Sequence, residues 1–154
     1  MQDDVAPLRR PQEIINEHAI TVKNLITRLE KKSRDEIVIA NLDRLRKRIN
    51  LLRSTMGEDQ PIRLMAPLMK KYQVKILDRD EKFFMGVNAR QKYIEEFQKE
   101  PTRDEEYIFE LIDSIRGHYQ KSPQAEKDVV YGEVLVLFNC CIEYELAVPS
   151  LSKK

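Results

Sequence analysis

The chain has 154 residues, of which 42% are hydrophobic and 34% are charged, and its basic and acidic side chains nearly balance at 27 and 26. It contains four glycines, seven prolines and two cysteines. These values exclude collagen-like chains, low-complexity disordered chains and disulfide-rich scaffolds, and they favour one compact all-α domain with a heavily charged surface.

The charge is unevenly distributed along the chain. The first 80 residues are net basic and the remaining residues are net acidic. Such a polarity could orient the molecule on a partner or let two copies meet head to tail. A chance distribution among solvated faces is the alternative interpretation.

An extended arm and a first helix are predicted at the start of the chain. Residues 1–10 contain Pro7 and precede Pro11, so they predict an extended arm, and the first helix begins near Pro11. Apolar residues in this helix recur at alternating steps of four and three, which is typical of a coiled-coil seam. These seam residues are Ile15, Ala19, Val22, Ile26 and Leu29.

A second helix with the same apolar spacing follows a break at residues 31–35. Ser33 and Glu36 have the spacing of a capping box, and Gly57 can end the helix. Residues 11–57 are therefore predicted to form an antiparallel helical hairpin of coiled-coil character, packed within one chain or against a second copy. The seam continues through Val38, Leu42, Leu45, Ile49, Leu52 and Met56.

The rest of the chain predicts a hinge followed by a compact helical bundle. Residues 58–80 predict the hinge, with a short helix around 62–72 and a short extended piece at 74–77. Residues 81–147 predict the bundle core and residues 148–154 a tail. The whole chain is expected to form a single domain of about five to six helices.

For two parts of the bundle, the sequence leaves two structural interpretations open. Phe83, Phe84 and Met85 form either part of the core or an exposed docking patch, and the core is favoured because monomers seldom expose such clusters. The last helix, which is predicted to begin at Ser122 and Pro123, is apolar on most sides and is expected at the centre of the core. Its valines leave a buried strand as the alternative.

The cysteines, the first residues and the apolar runs of the chain indicate its cellular compartment. Cys140 and Cys141 are predicted to be buried free thiols, because neighbouring positions on a helix point about 100° apart and are poorly placed to form a disulfide. Buried thiols suit a reducing compartment. The first residues are polar, and no apolar run approaches the roughly 20 residues of a membrane helix. We therefore expect a non-secreted, cytoplasmic protein without a membrane span.

No recognisable motif for catalysis, metal binding or cofactor binding occurs in the sequence. His18 and His118 lie far apart, and the glycines do not cluster into a phosphate-binding loop. Asp78, Asp80 and Glu81 could serve as an acid/base group in a desolvated cleft, but acidic residues at a helix start are the simpler interpretation. The sequence predicts no catalytic, metal or cofactor residues and thus a non-enzymatic protein.

The strongest basic cluster lies on the second helix, away from its apolar seam. It consists of Arg44, Arg46, Lys47, Arg48 and Arg53. Such a face can bind the phosphates of a nucleic acid, and Arg9 and Arg10 in the arm could extend it. Alternatively, these cations pair with acids across the hairpin, such as Glu17 or Glu30.

Three features between residues 75 and 146 follow one another in a familiar order. An acidic segment ends in Phe83 and Phe84, a helix over 108–119 ends in Tyr119, and a last helix carries Tyr131 and a leucine-rich end. In this layout the segment resembles small helical proteins of large double-stranded DNA viruses of eukaryotes, in which tryptophan often stands where this chain has tyrosine. The resemblance implies a virus-encoded protein of the host cytoplasm or the virion, without implying a particular chemistry.

The predicted function is a structural or protein-interaction role, with protein partners or self-association and without a cofactor. In the viral context that the resemblance implies, this is a minor capsid protein or another virion component that bridges larger subunits. The alternative is a small nucleic-acid-associated or regulatory protein that uses the basic face 44–53.

Overall fold

The structure, a computed structural model, describes residues 9–86 and 88–148. Eight α-helices account for 83% of these residues, and the described ranges contain no strand. The predicted arm and tail lie outside the described residues, except for residues 9, 10 and 148. The helices are α1 (Pro11–Lys32), α2 (Glu36–Met56), α3 (Gln60–Lys71), α4 (Gln73–Leu77), α5 (Glu81–Gly86), α6 (Ala89–Phe97), α7 (Glu106–Lys121) and α8 (Gln124–Ala147).

The all-α prediction is confirmed, but the expectation of five to six helices is wrong. The middle of the chain is divided into several short helices. The piece at 74–77, expected to be extended, lies in α4, where Ile76 N–H donates to the Tyr72 carbonyl at 2.9 Å. Arg79 then adopts the left-handed conformation, with φ of +50°, and ends this helical stretch before Asp80. Sequence spacing does not reveal such one-turn helices, because too few residues contribute to the pattern.

The two ends of α2 show which residues begin and end this helix. The expected capping box of Ser33 and Glu36 is not formed; instead, Asp35 is the N-cap and accepts a hydrogen bond from the Ile37 N–H at 2.9 Å. Ser33 accepts one from the Asp35 N–H at 3.2 Å. Gly57 ends the helix as expected, with φ of +114°, a conformation that favours glycine.

Helix α8 occupies the centre of the core, and α1 and α3 pack on it more extensively than on any other helix. Its helical structure confirms the favoured interpretation over the buried strand. Helices α1 and α8 are antiparallel, because Arg9 pairs with Glu143 at one end and Arg28 pairs with Glu126 at the other. Helix α1 packs more extensively on α8 than on α2, so the arrangement of a hairpin followed by a bundle is not confirmed.

Most of the predicted seam residues are nevertheless buried. Ala19 is half-buried, and Val38, in the first turn of α2, is 37% exposed. Met56 is exposed at the other end of α2. The buried seam residues are Ile15, Val22, Ile26, Leu29, Leu42, Leu45, Ile49 and Leu52.

A helix that crosses a membrane needs about 20 predominantly apolar residues. Across the described ranges, no helix is both long enough and apolar enough to cross a lipid bilayer.

Candidate functional site

A cavity of about 190 Å³ lies beside α8, where α3, α4, α5, α6 and α7 meet it. Its walls are almost entirely aliphatic and aromatic. Apolar pockets with a few polar groups at the rim are the usual form of a binding site. Representative wall residues are Met65 of α3, Phe83 and Phe84 of α5, Ile112 and Ile115 of α7, and Val134 of α8.

One wall consists of the aromatic cluster that the sequence left unassigned. Phe83, Phe84 and Met85 are each half-buried, and α5 has no fully buried residue. The rings of Phe83 and Phe84 meet edge to face with centroids 5.2 Å apart, and Tyr72 lies 5.8 Å from Phe83. The cluster is therefore neither fully buried core nor a fully exposed patch, and it lines the cavity.

The polar side chains at the rim of the cavity are bonded to one another. Arg79 donates two hydrogen bonds to the Tyr119 hydroxyl oxygen, at 3.2 and 3.0 Å, and the same hydroxyl donates to the Glu81 carboxylate. Arg79 also pairs with Asp128 at 2.8 Å and lies 4.6 Å from the ring centroid of Tyr131. Burial and the bond to Glu81 raise the pKa of Tyr119. These groups form a fixed network rather than a free acid, base or nucleophile.

The acidic residues that were considered as an acid/base group have structural contacts. Asp80 accepts a hydrogen bond from the Phe83 N–H at 3.0 Å at the start of α5 and pairs with Lys75 at 3.3 Å. These two contacts lower the pKa of Asp80. The structure thus supports the simpler interpretation of a helix start for this residue.

Tyr72 provides a polar group in the cavity wall. Its hydroxyl is buried and has no hydrogen-bond partner among the described residues. Burial, followed by the negative charge of the nearby Glu96 carboxylate and the interaction of the hydroxyl with it, raises the pKa of Tyr72 to about 12. The hydroxyl therefore stays protonated at neutral pH and is able to donate a hydrogen bond.

The basic face of α2 is largely paired with acids. Arg44 is exposed and donates to the Asn41 amide oxygen. Arg53 is half-buried and lies at a second cavity. The other three members are in ion pairs: Arg46 with Glu30, Lys47 with Asp43 at 2.9 Å, and Arg48 with Glu110 at 2.9 Å. The bond to Glu30 raises the pKa of Arg46. This face therefore carries less uncompensated charge than the sequence suggests.

The two arginines of the predicted arm differ in their contacts. Arg9 pairs with Glu17 at 2.8 Å and with Glu143, so it fastens the start of α1 to α8. Arg10 is exposed. Glu17 is thus a partner of the arm and not of the basic helix face.

The two histidines differ in their surroundings. His18 is 2% exposed, with Nε2 3.3 Å from Met65 Sδ. Burial and the nearby positive charge of Arg53 lower the pKa of His18 to about 4, so the imidazole is neutral at pH 7. His118 lies 2.8 Å from the Glu126 carboxylate, which also binds Arg28.

The thiols are buried and free, as predicted. Cys140 contacts Glu17 Oε1 at 3.2 Å, and burial together with this carboxylate raises the pKa of Cys140 to about 12. Burial also raises the pKa of Cys141. Both thiols are therefore poor nucleophiles.

Within residues 9–86 and 88–148, no three His, Cys, Asp or Glu side chains are grouped so that they could hold a metal ion. No protein-family model, curated protein or solved structure matches this chain.

Proposed function

We propose that this chain is a non-enzymatic interaction protein whose cavity beside α8 receives an apolar side chain of a partner protein. The cavity itself, about 190 Å³ with aliphatic and aromatic walls, is the observation that carries the proposal. An apolar cavity of about 150 Å³ is large enough to bind benzene. The cavity therefore has room for the side chain of a leucine or a phenylalanine.

The surface beside the cavity favours a protein over a small molecule as the occupant. Val74 and Leu77 on α4 are 64% and 57% exposed, and they flank Ile76, which lines the cavity. A small molecule inside the cavity would leave both side chains exposed, whereas a protein partner would cover them. A buried anchor surrounded by less critical apolar contacts is the usual arrangement of a protein interface.

The rim supports binding rather than catalysis. Arg79, Glu81 and Tyr119 satisfy one another by hydrogen bonds, which leaves no poised acid/base pair among them. The Tyr72 hydroxyl is buried in the wall without a partner among the described residues. It is suited to donate a hydrogen bond to a carbonyl group that enters with the anchor.

Further parts of the assignment are proposals that depend on partners. A virion component that bridges larger subunits, as the viral resemblance implies, would need such a surface. A cytoplasmic or virion location and a coiled-coil-like pairing of α1 with α2 are likewise proposals. The nucleic-acid alternative stays a prediction. It has less support than the protein interface, because three of the five basic residues on α2 are already paired with carboxylates.

Benzene serves as a probe of the cavity in an NMR titration of the full chain. We expect saturable shifts of resonances around the cavity in the wild type. Val134→Phe fills the cavity and should abolish them, whereas Val129→Phe, on the same helix but 41% exposed, should retain them. Equal benzene binding by the wild type and Val134→Phe would contradict the assignment of the cavity.

Photo-crosslinking then tests for the protein partner. A benzophenone amino acid at Leu77, beside the cavity, is compared with the same group at Leu51, which is 62% exposed on α2. We expect one discrete adduct from position 77 that persists in Val129→Phe and is lost in Val134→Phe. An adduct that forms equally from position 51, or that survives filling of the cavity, would overturn the proposal.

A further inference from the structure

A second cavity, of about 180 Å³, lies between α1 and α2 and reaches the first turn of α3. Its deep part is apolar, with Val22 and Ile26 almost fully buried and Ile49 beside them. Its outer part is polar and includes Lys23 and Asn50, which are exposed. The cavity thus combines an apolar interior with a polar entrance.

An arginine without a partner lies in the wall of this cavity. Arg53 Nε is buried and has no hydrogen-bond acceptor among the described residues. Arg46, in the same wall, differs because its guanidinium binds both carboxylate oxygens of Glu30. A buried cationic N–H without an acceptor is unfavourable, so an anionic oxygen placed at Arg53 would be stabilising.

The charges around the cavity do not cancel. Lys23 has no ion pair with any described residue, and Arg53 likewise has none. The one carboxylate in the lining, Glu58, accepts a hydrogen bond from the Gln12 amide at 3.2 Å. His18, the remaining titratable group of the lining, is neutral at pH 7 because burial and the charge of Arg53 lower its pKa to about 4. Besides Arg46, which Glu30 neutralises, two cations of the lining therefore face a single carboxylate.

We propose that the cavity between α1 and α2 binds a small organic anion, with a phosphate or carboxylate head at Arg53 and Lys23 and an apolar body against Val22, Ile26 and Ile49. Arginine presents several N–H donors in a planar fork, which suits either head group. An apolar cavity of about 150 Å³ holds benzene, so 180 Å³ has room for an aromatic ring or a short branched chain. The site is separate from the cavity beside α8.

An NMR titration of the full chain with phenyl phosphate, benzoate and inorganic phosphate tests this site at constant ionic strength. We expect phenyl phosphate or benzoate to bind more tightly than inorganic phosphate, because only the first two carry an apolar body. The difference between the first two identifies the preferred head group. Binding should shift the Arg53 Nε–H resonance and should raise the pKa of His18, because the anion offsets the charge of Arg53.

Matched variants assign the binding to this cavity. Arg53→Gln should weaken binding at least about tenfold, since it removes a charged hydrogen-bond donor. Arg44→Gln, on the exposed side of the same helix, and Val134→Phe, in the other cavity, should bind like the wild type. Lys23→Gln, an exposed position, should weaken binding to a smaller extent and supplies the test if Arg53→Gln does not fold.

Three outcomes would overturn the proposal. The first is no binding by the wild type beyond the effect of sodium chloride at the same ionic strength. The second is binding that neither Arg53→Gln nor Lys23→Gln weakens. The third is loss of phenyl phosphate binding in Val134→Phe, which would place the ligand in the cavity beside α8.

Discussion

The guanidinium of Arg79 donates two hydrogen bonds to the hydroxyl oxygen of Tyr119, at 3.2 and 3.0 Å, across the rim of the cavity beside α8. Arg79 has φ of +50°, a backbone conformation that non-glycine residues seldom adopt. The bonds to Tyr119, the ion pair with Asp128 and the ring contact with Tyr131 offset the cost of this conformation. Arg79 therefore links the end of α4 to α7 and α8.

Replacement of Arg79 tests this link. Arg79→Ala should lower the free energy of unfolding by about 1–3 kcal/mol, because it removes two hydrogen bonds and a cation–π contact. Arg34→Ala, at an exposed arginine between α1 and α2, is the control and should change it by less than about 0.5 kcal/mol. Urea unfolding followed by circular dichroism measures both values. Equal effects would show that the Arg79 contacts contribute nothing specific.

The buried imidazole of His18 should make stability depend on pH. The unfolded state takes up a proton on this group as the pH falls below 6.5, whereas the folded state does so only near its lowered pKa of about 4. Stability is therefore lost between about pH 6.5 and 4, by about 3 kcal/mol from this group. His18→Leu should remove this component, so its unfolding free energy should fall less than that of the wild type over the same range. Parallel pH profiles would contradict the prediction.

The same substitution at two tyrosines should have different effects. Tyr107 is fully buried and its hydroxyl donates to the Pro61 carbonyl, so Tyr107→Phe should cost about 1 kcal/mol. The Tyr72 hydroxyl is buried without a partner among the described residues, so Tyr72→Phe should be neutral or stabilising. Thermal unfolding measures the difference. A larger loss for Tyr72→Phe than for Tyr107→Phe would reverse the expected order.

A carboxylate in the apolar seam of α2 should unfold the chain. Leu45 is 2% exposed and Leu51, on the same helix, is 62% exposed. Leu45→Asp buries a charge and should abolish cooperative folding, whereas Leu51→Asp should change stability by less than about 0.5 kcal/mol. Circular dichroism and light scattering check both variants. If Leu45→Asp keeps its helicity and changes only its oligomeric state, the seam packs between chains rather than within one.

Local signals in the sequence were sufficient to place several helix ends. Pro11 begins α1 and Gly57 ends α2, because proline fixes a backbone angle suited to the first helical turn and glycine adopts positive φ readily. In the turn just before α7, Thr102 and Glu105 have the spacing of a capping box and exchange its two hydrogen bonds, at 2.8 and 3.2 Å. These features depend on a few adjacent residues, so a single sequence reveals them.

The packing partners of the helices were not predictable in the same way. Heptad spacing shows that Val22 and Ile26 lie on a buried face, but it does not show whether α2 or α8 covers that face. Both helices carry apolar residues, and the extensive contact of α1 is with α8. The prediction of a hairpin followed by a bundle treated neighbours in sequence as neighbours in space. Helix α1 does contact α2, but its contact with α8 is more extensive, so this arrangement is not confirmed.

The two cavities had no signal in the sequence. The cavity beside α8 exists because side chains from six helices leave a gap, and no residue pattern encodes a gap. Arg53 was grouped with four other cations by sequence proximity alone. What distinguishes it is the lack of an acceptor for its buried Nε among the described residues, and this property depends on the positions of distant carboxylates.

The antiparallel contact of α1 with α8 has a consequence for biosynthesis. Arg9, just before α1, and Arg28, within α1, pair with Glu143 and Glu126 of α8, more than ninety positions later in the chain. A ribosome releases α1 long before α8 has been synthesised, so the apolar face of α1 has no completed core to join during most of translation. Contacts between such distant segments slow folding and expose the nascent chain to aggregation. The synthesis of α8 therefore sets the earliest moment at which the core around α1 can form.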